Sequence, residues 1–178
     1  MSSARRSNLV LGGLALLVVA LDQWTKSLVR QAIPLNRSVS ITAFLDPYVR
    51  LTHIENAGAA FGFGQGLGKL FAYAALGAIL LIVLYFRPFA ERRPLLRVAL
   101  GLQLGGAIGN LIDRLRLGGV VTDFVDLGWF PIFNVADSAI TIGSILLGVY
   151  ALFVDTPGTA AAAKEASEPV SDPVAPHD

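Results

Sequence analysis

Three aspartates fall within "VVTDFVDLGWFPIFNVADSAITIGS", residues 120–144: Asp123, Asp126 and Asp137. Asp137 opens a run that is otherwise almost wholly apolar. An ionisable group at the edge of hydrocarbon is costly, and it marks a functional position by default. Two carboxylates held together at low dielectric do not both ionise; one keeps its proton near neutral pH. The ionised member can then take a proton from water while the protonated one polarises a carbonyl, which is acid–base chemistry suited to amide hydrolysis. The chain has no cysteine, so thiol nucleophiles, zinc–thiolate sites and disulfides are excluded. Neither "GxSxG" nor "HExxH" occurs, which weakens serine and zinc peptidase readings. His53 and His177 lack a second ligand at metal spacing, and no cofactor or metal is expected.

The three acids are not equivalent. Asp123 lies in a short segment that must fold back on the hydrophobic part of the chain. Asp126, close to Gly128, reads as a solvated loop acid. Asp137 shares a helix face with Asn134, three residues before it. Stabilisation of a helix N-terminus is the plainer reading of Asp137. Asp22 and Lys26 are spaced i, i+4. They read either as a self-neutralising interfacial anchor, with the lysine reaching water, or as a brace for a site. Asn110, Asp113 and Arg114 also share a face, and the acid and arginine there could form an ordinary interfacial pair. Asn110 needs partners if buried. Gly101, Gly105 and Gly109 recur every four residues, a stripe that lets another helix approach closely.

The elements that must position these residues follow from composition. The chain has 178 residues, of which 54% are hydrophobic and 15% charged, with a mean hydropathy of +0.62. That is too apolar for an ordinary soluble domain. Four apolar runs, about 9–28, 69–86, 95–112 and 132–154, each match the roughly 20 residues that cross a hydrocarbon core as a helix. A cleaved leader is the other reading of the first run, but no clear cleavage site follows it. The expected fold is a membrane α-helical bundle of four transmembrane helices with a small extracytoplasmic β-sheet and loop cap. It forms one domain over 1–154, and the Pro- and Ala-rich tail 155–178 reads as disordered.

Four spans put both termini on one side. Lysines and arginines divide evenly between the sides, but "RPFAERRPLLR" concentrates four arginines in 11 residues. That density predicts cytoplasmic termini. "SVSITAF" and "YVRLTHIEN" read as short strands, and "NAGAAFGFGQGLG" as a glycine-rich loop. Trp24, Trp129 and Phe130 fall near the outer interface. A net charge of +1 gives no electrostatic case for a nucleic-acid partner.

Taken together, "DQWTK" (22–26), "NAGAAFGF" (56–63), "GGAIGNLIDR" (105–114), "VTDF" (121–124) and "FNVADSAI" (133–140) resemble the bacterial lipoprotein signal peptidases, the signal peptidase II family. The stretches stand in the family's order and cover about 9–154. The resemblance implies an aspartic peptidase of the inner membrane, active at the periplasmic face. It would cleave diacylglyceryl-modified prolipoproteins just before the lipidated cysteine and be inhibited by globomycin-type compounds. It assigns catalysis to Asp123 and Asp137. Asn56, Gly58, Asn110, Arg114 and Asn134 are then expected to bind substrate or order the site. Asp22, Lys26 and Asp113 are expected to support the structure. Membrane lipids are expected neighbours, the protein is expected to act as a monomer, and the "NAGAAFGFGQG" loop is expected to clamp the peptide. A small ion-coupled carrier or a non-enzymatic membrane assembly protein are the rival readings.

Overall fold

The structure, a computed structural model, describes residues 3–46, 48–58 and 66–153. Its elements are α1 (Ser3–Ala32), β1 (Ser38–Ser40), β2 (Arg50–Asn56), α2 (Gly68–Leu81), α3 (Pro94–Arg116), β3 (Val121–Asp126) and α4 (Val135–Phe153). A π turn over Ile82–Phe86 and a 3-10 turn over Arg87–Ala90, with Pro88 in its first turn, prolong α2. Four segments are therefore long and apolar enough to cross a membrane: Arg5–Ala32, Gly68–Ala90, Pro94–Arg116 and Val135–Phe153. The four expected spans are present. Most of the glycine-rich loop expected to act as a clamp, and the tail, lie outside the described residues.

Two helix ends differ from the apolar runs, each for a physical reason. The first run fades near residue 28 because Lys26 and Arg30 are charged, yet α1 continues to Ala32. Lys26 is fully buried and Arg30 partly so, both turned toward other elements. The fourth run begins near 132, but α4 starts at Val135. The backbone of Phe133 is taken up by Val125, with which it exchanges N–H···O bonds of 2.8 and 3.2 Å.

α3 is the central helix, packed on α1, α2 and α4. Glycines on two of its faces make this possible. A Cβ on Gly105 would lie 2.7 Å from Val18 Cβ and 2.8 Å from the Ala15 carbonyl of α1. On the other face, a Cβ on Gly106 would lie 2.5 Å from the Ala136 carbonyl of α4. The first face is the stripe visible in the sequence; the second is completed by Gly143 of α4, against the Ala99 carbonyl. Leu11, Ala15, Leu96, Leu100, Leu104 and Tyr150 fill the bundle interior.

The three strands form one antiparallel sheet in the order β1-β2-β3. It sits at the C-terminal end of α1, where Phe124 packs on Val29 and Ile33. β2 pairs with β3 through Ile54↔Asp123 and Asn56↔Val121, with an irregularity between Leu51 and Ile54. β3 is buried at nearly every position. His53 is structural: its Nδ1 lies 2.7 Å from the Ile33 carbonyl, tying β2 to the end of α1.

Candidate active site

The site is assembled where the start of α4 meets β3. Asn134 immediately precedes α4, and its Oδ1 accepts the Asp137 N–H at 2.9 Å. In return Asp137 Oδ2 accepts the Asn134 N–H at 3.2 Å. This is a reciprocal capping box, which satisfies donors that a helix start leaves unpaired. The plain reading of Asp137 as an N-terminal helix acid is thus realised, but it occupies one oxygen only. Asp137 Oδ1 accepts from Asn110 Nδ2 at 2.8 Å. The Asn134 side-chain amide also donates to Asp123 Oδ1 at 2.7 Å. One asparagine therefore bonds both aspartates and sets the spacing between them.

Asp123 is held from its other side by β2. Asn56 Nδ2 donates to Asp123 Oδ2 at 2.9 Å, and Asn56 Oδ1 accepts the Gly58 N–H at 2.9 Å. That Asx turn orients the amide so that its nitrogen meets the carboxylate. Burial, with the charge of nearby Asp137 adding to it, pushes the Asp123 carboxyl up to about 6, against the hydrogen bonds of Asn56 and Asn134. A carboxyl at that value exchanges its proton near neutral pH, as an acid–base catalyst must.

Behind the aspartates lies a buried charge cluster. Lys26 Nζ contacts Asp22 Oδ2 at 2.9 Å and Asp113 Oδ2 at 3.4 Å, and it donates to Asn110 Oδ1 at 2.9 Å. Asp22 Oδ1 accepts the Ala136 N–H of the first turn of α4 at 2.9 Å. The Asp22–Lys26 pair is fully buried, so the snorkelling-anchor reading gives way to the brace. Gly109 has no room for a Cβ because Asp22 Oδ2 would be 2.6 Å from it.

Asp113 does not pair with Arg114. It points back to Lys26 and Arg30 and accepts the Thr122 N–H at 3.0 Å. Arg114 lies over the Phe71 ring, 5.6 Å from its centroid, on the α2 side. Adjacent helical residues are about 100° apart, so the two side chains diverge. Asp126 also departs from expectation. It is a buried residue at the end of β3, accepting from the Thr52 hydroxyl and the Gly128 N–H at 2.8 Å each, with Arg50 3.5 Å away. Burial opposes its charge, but those partners outweigh it and hold the carboxyl below its ordinary value. It is no solvated loop acid, and it faces away from the Asp123–Asp137 pair.

Three contributors were not singled out in the sequence. Gln23 Nε2 lies 3.1 Å from Asp22 Oδ2, the Gly109 carbonyl and Asp113 Oδ1 alike. Arg30 Nη1 donates to the Thr122 hydroxyl at 3.0 Å. Arg30 could have been found, since it continues the i, i+4 row of Asp22 and Lys26; Gln23 and Thr122 carry no such signal.

Asp123, Asp137, Asn56, Gly58, Asn110 and Arg114 all line one cleft of ≈ 720 Å³. Its floor is α3. Its walls are Ala74, Ala75 and Ala78 of α2 and Thr141 and Ile142 of α4. Carboxylates, amides and hydroxyls line it together with apolar side chains of the helices, so the cleft suits a ligand with both polar and apolar parts.

The architecture defines a polytopic membrane enzyme. It is similar to two solved bacterial membrane enzymes determined by the in meso method. One has a TM-score of 0.71 at 31% identity, covering 89% of this chain and 92% of the other. The second has a TM-score of 0.69 at 35% identity, covering 80% and 92%. The family model for signal peptidase (SPase) II matches residues 14–153, and the chain belongs to that family of aspartic peptidases. It is similar to the lipoprotein signal peptidase of Moorella thermoacetica, 44% identical over 75% of this chain and 87% of the relative. That of Symbiobacterium thermophilum is 42% identical over 83% and 97%, and that of Shouchella clausii 47% identical over 72% and 83%.

Proposed function

We propose that this chain removes the signal peptide from diacylglyceryl-modified prolipoproteins, cutting the bond just before the lipidated cysteine. The observation that carries the reading is the pair Asp123 and Asp137, both bonded by Asn134 at the mouth of a cleft that continues among the helices. A water between the two carboxylates attacks the scissile carbonyl. The ionised aspartate takes the water's proton, and the protonated one first polarises the carbonyl and then supplies a proton to the departing amine. Asn56, Asn110 and Asn134 hold the carboxylates. Arg114 and Gly58 line the cleft from α3 and from the turn after β2.

The acyl chains of the substrate stay in the bilayer or between helices. Each buried methylene contributes about 0.8 kcal/mol, enough in sum to anchor the cysteine and set the position of the cut. The arginine-rich loop between α2 and α3 supports an orientation with cytoplasmic termini and a periplasmic site in the inner membrane. The single chain carries the whole site, in keeping with a monomer, and globomycin-type compounds are expected to occupy the cleft.

The test is a gel-mobility assay with purified protein and a diacylglyceryl-modified prolipoprotein. Cleavage of the modified precursor, none of the unmodified one, and inhibition by globomycin is the expected result. No cleavage of either precursor, with proton- or solute-driven flux in liposomes, would establish the carrier reading instead.

A further inference from the structure

A polar row descends from the aspartates into the part of the cleft that lies among the helices. Gln103 sits two helical turns before Asn110 on α3, and Thr141 one turn after Asp137 on α4; both line the cleft. The hydrogens around Gln103 can be assigned in full. The Ile140 carbonyl only accepts, so Gln103 Nε2, 3.3 Å away, is the end that faces it. The Ser144 hydroxyl donates to the same carbonyl at 2.9 Å, which leaves its oxygen to accept from Gln103 Nε2 at 2.7 Å. Both amide hydrogens are committed. Gln103 Oε1 has no partner among the described residues, and it is absent from the buried atoms left unpaired there. It is an accessible acceptor, in a wall of the cleft, at membrane depth. The Thr141 hydroxyl likewise has no hydrogen bond among the described residues.

An amide oxygen facing hydrocarbon without a donor is unfavourable. A helical ligand brings no relief, because its own backbone N–H groups are already used. An extended peptide brings free N–H groups and carbonyls. The opposite wall, Ala74, Ala75 and Ala78, has side chains small enough to admit one. Two helical turns are about 10 Å, and an extended chain rises about 3.3 Å per residue. From the proposed cut near Asn110 and Asp137, Gln103 therefore meets the third residue on the signal-peptide side.

We infer that Gln103 and Thr141 form a subsite for unwound signal-peptide backbone about three residues before the cleaved bond, with Gln103 Oε1 accepting a backbone N–H and Thr141 donating to a carbonyl. This rests on the functional reading above. It makes unwinding of the signal-peptide end part of substrate selection, since a chain that stays helical to the cut cannot use the subsite.

The test compares the parent protein, Gln103→Leu and Ser144→Ala on lipid-modified precursor peptides. In these the amide N–H of the second, third or fourth residue before the cut is replaced by an ester oxygen, one at a time. On the all-amide peptide, Gln103→Leu should lower kcat/KM about tenfold, the order expected for one hydrogen bond. The ester near the third residue should lower the parent by a similar factor and Gln103→Leu no further. Ser144→Ala breaks the clasp between α3 and α4 but keeps Oε1, so it should stay sensitive to that ester. Parental cleavage by Gln103→Leu, or losses that multiply at all three ester positions, would overturn the subsite. So would a Ser144→Ala variant that loses sensitivity to the ester as Gln103→Leu does. A parent protein that cleaves none of the peptides would overturn the functional reading itself.

Discussion

Lys26 Nζ donates to Asn110 Oδ1 at 2.9 Å and, with Asn134 Nδ2 donating to the same oxygen at 3.2 Å, fixes which way the Asn110 amide points. An ammonium has only donors, so the amide oxygen must face it and the amide nitrogen must face Asp137. A carboxylate that could have met either end of the amide is given a donor. The buried cluster thus acts on the site through orientation. Lys26→Met leaves Asp22 and Asp113 without their shared cation and should cost about 3–5 kcal/mol. Adding Asp22→Asn should recover part of that stability, because one unpaired charge is gone, but not the lost part of cleavage, because Asn110 keeps only the longer of the two contacts that orient it. Thermal unfolding in detergent beside the cleavage assay separates the two effects. Equal recovery of both would reduce the cluster to a stability device.

The carboxyl of Asp123 sits near 6 in the folded protein, against an ordinary value of 3.8. The sign follows from linkage. A carboxyl raised on folding favours the folded state most below its unfolded value, and that contribution is lost as pH rises through the folded one. Well above pH 6 the cost is about 3 kcal/mol. Unfolding measured in steps across this window should show the parent losing stability, while Asp123→Asn gives a flatter profile. An unchanged slope in the variant would assign the pH dependence to another group.

The close approach of α3 to α4 carries Asp137 to its partners. A Cβ on Gly106 would meet the Ala136 carbonyl at 2.5 Å and Ile140 Cγ1 at 2.6 Å, and that backbone oxygen cannot rotate away. Gly106→Ala should cost about 1–3 kcal/mol and reduce cleavage by displacing the first turn of α4. A Cβ on Gly77 meets nothing within 4 Å among the described residues, and Gly77→Ala should be neutral or stabilising by up to about 1 kcal/mol. Unfolding and cleavage of both variants provide the check, and equal behaviour would remove the packing argument.

The four spans were legible because hydrocarbon demands about 20 apolar residues per crossing, and 69–86 and 95–112 lie inside the helical segments found. The two strands before α2 were legible from their β-branched residues, although "ITAF" after Ser40 turns instead of continuing β1. Less visible was anything whose partner is distant in sequence. Arg30 was not singled out because Asp113 and Thr122, its contacts, are more than 80 residues away. β3 shows no alternation to read because it is covered on both faces. Asn134 and Asp137 could be placed on one face by spacing, but that the asparagine also bonds Asp123 depends on how β3 lies against α4.

Asp126 lies close to Asp123 in sequence but is held by other partners. It is anchored by Thr52, Gly128 and Arg50. Its lowered carboxyl contributes stability that is fully present above its unfolded value and lost as pH falls through the folded one. Asp126→Asn should therefore lose about 1 kcal/mol at neutral pH while keeping most of its cleavage activity. Complete loss of cleavage in a folded variant would mean that the catalytic pair has been assigned to the wrong carboxylates.

In the proposed mechanism Asp123 and Asp137 share the chemistry, one as base and one as acid. The most direct measurement is cleavage of a diacylglyceryl-modified prolipoprotein by Asp123→Asn and by Asp137→Asn, each shown by thermal unfolding to be folded. Each single variant is expected to lose at least about a hundredfold in rate, the lower end of what acid–base catalysis contributes. Substantial cleavage by either folded variant would contradict it.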